Sequence, residues 1–186
     1  MKKKLTVPTI LTLGRIVLVV PFVILLVRGT KTSVLVALAI FIVAALSDLV
    51  DGFLARKLKQ VTDLGAFLDP LADKMLVNAA FICLAVMRVC PYWVPIIFVC
   101  RDFAVDGVRM MMARKGETVS AGILGKVKTA VQMLAFVTEI SLVIVSSEAQ
   151  IVQFYVWFVG MVSVYLAVSL SILSGVQYLY DGIKRF

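Results

Sequence analysis

The chain has 186 residues, 62% of them hydrophobic and 16% charged, with a mean hydropathy of +1.05. An ordinary soluble domain is nearer half apolar, so this composition excludes a conventional water-soluble core and indicates one all-α, polytopic membrane domain over residues 1–186. The net charge of +8 and the absence of histidine assign the basic residues to topology and anionic lipid, with no nucleic-acid partner. Without imidazole, proton transfer must use carboxylates and a metal site must be oxygen-rich. The three cysteines, Cys83, Cys90 and Cys100, form no C-x-x-C pair and read as packing residues.

Residues 1–9 are basic, then polar, and predict a short N-terminal interfacial segment with Pro8 placed to begin a helix. The first apolar segment, about Ile10 to Val27, is long enough to span and lacks a cleavage motif, which predicts a retained helix. Its Arg15 is placed to snorkel to the near interface. After a turn at Arg28–Lys31, a second span runs from about Thr32 to Ala55. A third starts near Gly65 or Asp69 and reaches about Val89, with Pro70 in its first turn or bending it. Pro91 marks the next turn. Three further spans follow, at about Tyr92–Met112, Ala121–Val145 and residues 151–180.

Six transmembrane helices put Lys2–Lys4, Arg56, Lys57, Lys59, Arg114, Lys115, Lys126, Lys128, Lys184 and Arg185 on one side. The other side receives Arg28, Lys31 and Arg88. The positive-inside bias then places both termini in the cytoplasm.

One stretch breaks the apolar pattern. Between Asp48 and Asp73 the chain reads DLVDGFLARKLKQVTDLGAFLDPLAD. On a helix, Asp48, Asp51, Gly52, Ala55 and Arg56 fall within roughly 140° of arc, and Gly65, Asp69 and Asp73 share one stripe. A buried aspartate costs roughly 3 kcal/mol at a span centre, so four unpartnered ones approach ~10 kcal/mol. Two divalent cations would balance four carboxylates, and oxygen ligands favour Mg²⁺ or Mn²⁺. A paired hard-metal site beside an arginine suits activation of a diphosphate.

The pattern D-x2-D-G-x2-A-R-x8-G-x3-D-x3-D is complete and resembles the signature of the CDP-alcohol phosphotransferases, membrane enzymes that transfer a phosphatidyl or similar group from a CDP-linked donor to an alcohol. FLDPLADK (Phe67–Lys74), VPTILTLGR (Val7–Arg15), Arg101-Asp102-Phe103, Gly107–Arg109 and GKVKT (Gly125–Thr129) resemble the bacterial phosphatidylglycerophosphate synthase branch of that family. The resemblance covers about the first two-thirds of the chain, and the spans beyond Thr129 look generic. Thr9 stands where the family commonly has Asn, Asp102 where Glu is usual, and Asp106 where a small residue is expected.

The resemblance implies that Asp48, Asp51, Asp69 and Asp73 hold two metal ions, with Asp73 also the general base. Asp51, Gly52, Ala55, Arg56 and Gly65 would bind the CDP donor. Thr9, Thr12 and Arg15 either line the nucleotide entrance or anchor the interface. Arg101, Arg109, Lys126 and Lys128 form a candidate pocket for a phosphate on the acceptor. Against that, Lys126 and Lys128 could be topology-setting flank residues, and Arg109 could pair with Asp106. Lys74 is expected to pair within the acidic cluster, and Glu139, mid-span in the fifth helix, to meet a polar partner across a bundle or dimer interface.

The implied reaction takes CDP-diacylglycerol and glycerol 3-phosphate to phosphatidylglycerophosphate and CMP. It would run at the cytoplasmic face of the bacterial inner membrane, in a homodimer. The alternatives are a different acceptor, as in a cardiolipin-type enzyme, or a small divalent-cation transporter.

Overall fold

The computed structural model describes residues 7–58, 63–114, 123–145 and 150–184. Within them the chain is helical apart from short turns, with no strand. Its helices are α1 (Val7–Arg28), α2 (Lys31–Leu58), α3 (Asp63–Val86), α4 (Trp93–Arg114), α5 (Ile123–Val145) and α6 (Gln150–Ile183). Each apolar segment read from the sequence is a helix. Val127–Val145 and Gln150–Gly182 are long and apolar enough to cross a membrane, and Lys31–Ser47 and Lys74–Val86 are shorter apolar helices. The expected interfacial segment at residues 1–6 lies outside the described residues.

The chain divides into two compact units, Met1–Cys83 and Leu84–Phe186. In the first, α1 and α2 pack as a hairpin. Gly29 turns the chain at a φ of 66°, a left-handed conformation that costs glycine little. Thr30 then caps α2: its Oγ1 accepts the Ser33 N–H at 3.3 Å, satisfying one of the orphan donors of the first turn. The buried stripe of α1 runs Thr12, Arg15, Val19, Phe22, Leu26, and that of α2 runs Val34, Ala37, Phe41, Ala44. Steps of three and four keep one seam facing its partner, and the Phe22 and Phe41 rings sit 6.0 Å apart within it. Arg15 belongs to this stripe, only 3% exposed, so the expected snorkelling anchor is instead a buried cation.

Helix α3 begins at Asp63, earlier than the sequence suggested, and Pro70 is its eighth residue. Pro70 therefore sits in the helix interior and outside the first turn. Pro21 occupies a similar interior position in α1. Each removes one backbone hydrogen bond, a loss that apolar helices in lipid tolerate when neighbouring groups satisfy the freed carbonyl.

In the second unit α6 packs against both α4 and α5. Thr138 of α5 and Ser163 of α6 share a hydrogen bond of 2.8 Å, and Glu139 lies against Gly160, which sets an antiparallel register. Helices α4 and α6 run parallel: the Trp93 and Tyr165 rings are 5.9 Å apart, Arg101 meets Ser174 and Arg109 meets Tyr178. The seam of α6 is built from small residues, Gly160, Ser163, Ala167, Ser171, Ser174 and Gly175, all buried, which let neighbouring backbones and long side chains approach closely. The outward face of α6 is the reverse of a soluble protein's. Phe154, Tyr155, Trp157, Leu166, Leu173 and Tyr180 are among its exposed residues, a surface suited to lipid.

Candidate active site

The backbone carries the aspartate motif on two uninterrupted helices. Asp48, Asp51, Gly52, Ala55 and Arg56 lie within α2, and Gly65, Asp69 and Asp73 within α3, so the helical spacing used to group them holds on both. The side chains of these residues, and those of Thr9 and Lys126, lie outside the described residues. Among the described side chains no three His, Cys, Asp or Glu gather as a metal site. The four aspartates are not among them. Their donor chemistry fits the implied ions: carboxylate oxygen only, in i, i+3 and i, i+4 pairs on helical backbone. Thr12 is fully buried in the α1 stripe.

Of the candidate acceptor residues, Arg101, Arg109 and Lys128 have described side chains. Arg101 Nη1 and Lys128 Nζ both approach Asp102 Oδ1, at 3.1 and 2.9 Å. The side chains are 11%, 5% and 8% exposed for Arg101, Lys128 and Asp102 respectively, so this is a desolvated cluster drawn from α4 and α5. Its charges interact far more strongly than surface pairs do. Lys128 Nζ also lies 5.9 Å from the Phe98 ring centroid. A buried lysine on a buried aspartate is not the solvated flank residue that topology alone would require.

Helix α6 closes the cluster. Arg101 Nη2 donates to Ser174 Oγ at 2.8 Å. One helical stretch further along α4, Arg109 Nη2 donates to the Tyr178 hydroxyl at 3.0 Å, with its guanidinium carbon 5.1 Å from the same ring's centroid. Arg109 thus turns to α6. Both arginines keep a buried Nε–H with no acceptor among the described residues. Such donors are costly to leave unmade.

Ser174, Gly175 and Tyr178 were missed by the sequence reading, which treated the last span as generic. The available signal was the run Ser171-x-x-Ser174-Gly175-x-x-Tyr178, polar and small residues at helical spacing in an otherwise apolar segment. Cys83 and Cys90 are buried and unpaired, and in the α3–α4 turn burial, with Glu139 a smaller cause, pushes the Cys90 thiol up to about 12. That thiol is no nucleophile at neutral pH.

Comparison with known proteins fixes the family. The description "CDP-alcohol phosphatidyltransferase" matches residues 5–173. The chain belongs to the CDP-alcohol phosphatidyltransferase family. A relative from Bacillus subtilis (strain 168), named CDP-diacylglycerol–glycerol-3-phosphate 3-phosphatidyltransferase, is 43% identical over 140 residues, covering 69% of this chain and 72% of its own. The protein of the same name from Wigglesworthia glossinidia brevipalpis is 36% identical over 182 residues, covering 95% and 94%. That from Escherichia coli (strain K12) is 40% identical over 134 residues, covering 69% and 73%. Family membership accounts for the motif of α2 and α3, while Ser174, Gly175 and Tyr178 fall just beyond the matched family region.

Proposed function

We propose that the protein transfers the phosphatidyl group of CDP-diacylglycerol to glycerol 3-phosphate, giving phosphatidylglycerophosphate and CMP. The carrying observation is the desolvated Arg101–Asp102–Lys128 cluster with Arg109 beyond it on α4. An acceptor lacking a phosphate would have no use for guanidinium groups that keep buried, unspent donors. The names of the relatives support the same acceptor.

Asp48, Asp51, Asp69 and Asp73 would hold two Mg²⁺ or Mn²⁺ ions, which supply positive charge to the donor diphosphate and to the departing CMP. Asp73 takes the proton of the acceptor hydroxyl. The new bond forms between that oxygen and the phosphatidyl phosphorus as the bond to CMP breaks. Arg56 contacts the diphosphate, and Asp51, Gly52, Ala55 and Gly65 admit the cytidine part close to the backbone, with Thr9 at its entrance; Thr12, buried in the α1 stripe, packs behind it. Lys126 joins Arg101, Arg109 and Lys128 around the acceptor phosphate. Six spans, both termini in the cytoplasm, a catalytic face toward the cytoplasm of a bacterial inner membrane and a homodimer complete the reading.

The test is purified protein in detergent with CDP-diacylglycerol and, separately, labelled glycerol 3-phosphate, serine or inositol. CMP release is expected with glycerol 3-phosphate alone, lost on chelation with EDTA and restored by Mg²⁺ or Mn²⁺. Asp73→Asn should lower kcat by about 10²–10⁴-fold, the usual weight of a general base. Transfer to serine or inositol instead would replace the acceptor. Divalent flux in vesicles without CMP from any acceptor would replace the enzyme reading with a transporter.

A further inference from the structure

We infer that the end of α6 is a positioning element for the acceptor site: Ser174 and Gly175 set Arg101, and Tyr178 sets Arg109, so these three residues tune affinity for the phosphorylated acceptor. The inference rests on the assignment of Arg101 and Arg109 to the acceptor phosphate.

The hydrogen bonding of Ser174 has one consistent direction. Its hydroxyl donates to the Ser171 carbonyl at 3.1 Å, so its lone pairs are left to accept Arg101 Nη2 at 2.8 Å. A hydroxyl tied back to its own helix cannot rotate freely, and it holds the guanidinium in one orientation. Gly175, next along α6, leaves the room that Arg101 occupies. A Cβ there would lie 2.9 Å from Arg101 Cγ, too close for the arginine to stay in place. Asp102 Oδ1 fixes the remaining edge through Nη1 at 3.1 Å. Arg101 is thereby held on two sides with its Nε–H unspent.

Tyr178 does the same for Arg109 with one side chain, through its hydroxyl at 3.0 Å and its ring. Ser174 and Tyr178 are four apart on α6 and share a face. Arg101 and Arg109 are eight apart on α4, two turns and a little more, and also share a face. One face of α6 therefore orders two cations of α4, which removes conformational freedom that the ligand would otherwise have to quench on binding. The pairs lie within one compact unit, residues Leu84–Phe186.

The experiment measures kcat and both KM values for Ser174→Ala, Gly175→Ala and Tyr178→Phe, with Ser163→Ala as control. Ser163 also bonds from α6 to a neighbouring helix, away from the arginines. About a tenfold rise in KM for glycerol 3-phosphate is expected for each of the three, the scale of a lost hydrogen bond to a charged group. KM for CDP-diacylglycerol should be unchanged, and Ser163→Ala should leave both at their starting values. Ser174→Thr, which keeps the hydroxyl, should recover most of the acceptor affinity. Arg109→Lys combined with Tyr178→Phe should be no worse than Arg109→Lys alone. If Arg101→Lys and Arg109→Lys raise that KM but the α6 variants lower only thermal stability, α6 is merely structural and this inference fails. If the arginine variants leave the acceptor KM untouched, the acceptor assignment itself fails.

Discussion

Glu139 is the residue whose placement most departs from expectation. It lies six positions before the end of α5, fully buried, and neither carboxyl oxygen has a hydrogen-bond partner among the described residues. A polar partner was expected, and the structure supplies Gly160. A Cβ at that position would sit 2.8 Å from Glu139 Oε1 and 3.1 Å from Cδ, so α6 approaches α5 here only because a hydrogen stands where a side chain would be. Gly160→Ala should therefore overpack the seam and cost about 1–3 kcal/mol. Shortening the acid in the same chain, Glu139→Ala, should return much of that loss. A double-mutant cycle followed by tryptophan fluorescence during thermal unfolding in micelles should show a coupling of about 0.5–3 kcal/mol. Strict additivity would mean that the two residues do not meet. Nothing in the structure explains why an acid occupies this place.

The turn after α3 offers a second measurable consequence, at the level of an element. Arg88 N–H bonds to the Ala85 carbonyl and Val89 N–H to that of Leu84, each at 3.0 Å, the paired pattern that closes a helix through a left-handed residue. That residue is Arg88, at a φ of 60°, where glycine is usual. A left-handed conformation costs an ordinary side chain about 1–2 kcal/mol. Arg88→Gly should thus raise the midpoint of thermal unfolding, less the entropy that glycine adds to the unfolded chain. A lowered midpoint would show that the arginine head contributes more than its backbone costs.

Helix positions were legible in the sequence because length, hydropathy and the punctuation at Gly29 and Pro91 all agree. The aspartate motif was legible because charge in an apolar helix is costly and spacing on a helix fixes a face. Two kinds of feature were not. The choice between the first turn and the helix interior for Pro70 depends on α3 starting at Asp63, and a helix start ahead of an apolar segment leaves no hydrophobic trace. The role of Ser174, Gly175 and Tyr178 depends on the register between α4 and α6, 73 residues apart at the Arg101–Ser174 bond, and a local pattern does not carry register between distant helices.

For the whole molecule, the decisive property is which end faces which compartment. The 28 residues of α2 extend about 42 Å and the 34 of α6 about 51 Å, at 1.5 Å per residue, against a hydrocarbon core of about 30 Å. Both helices have turns left over for an interface. Because α4 and α6 run parallel, Tyr92 and Trp93 lie at the same end of their unit as the exposed Phe154, Tyr155, Trp157 and Phe158. Rings gathered in this way mark a membrane–water interface. Arg109, Tyr178 and Lys184 lie toward the other end. The orientation proposed above from the positive-inside rule puts that second end in the compartment where a water-soluble acceptor is supplied.

Single cysteines in a chain with Cys83, Cys90 and Cys100 replaced by alanine test this directly. Ser147→Cys, between α5 and α6, should react with a membrane-impermeant maleimide added to spheroplasts. Lys115→Cys, between α4 and α5, should react only in inverted vesicles. Labelling of both from one side would break the six-span arrangement. Exchange of the two patterns would keep six spans but turn the catalytic face outward, away from the compartment in which the aspartates, Arg101 and Arg109 are proposed to act.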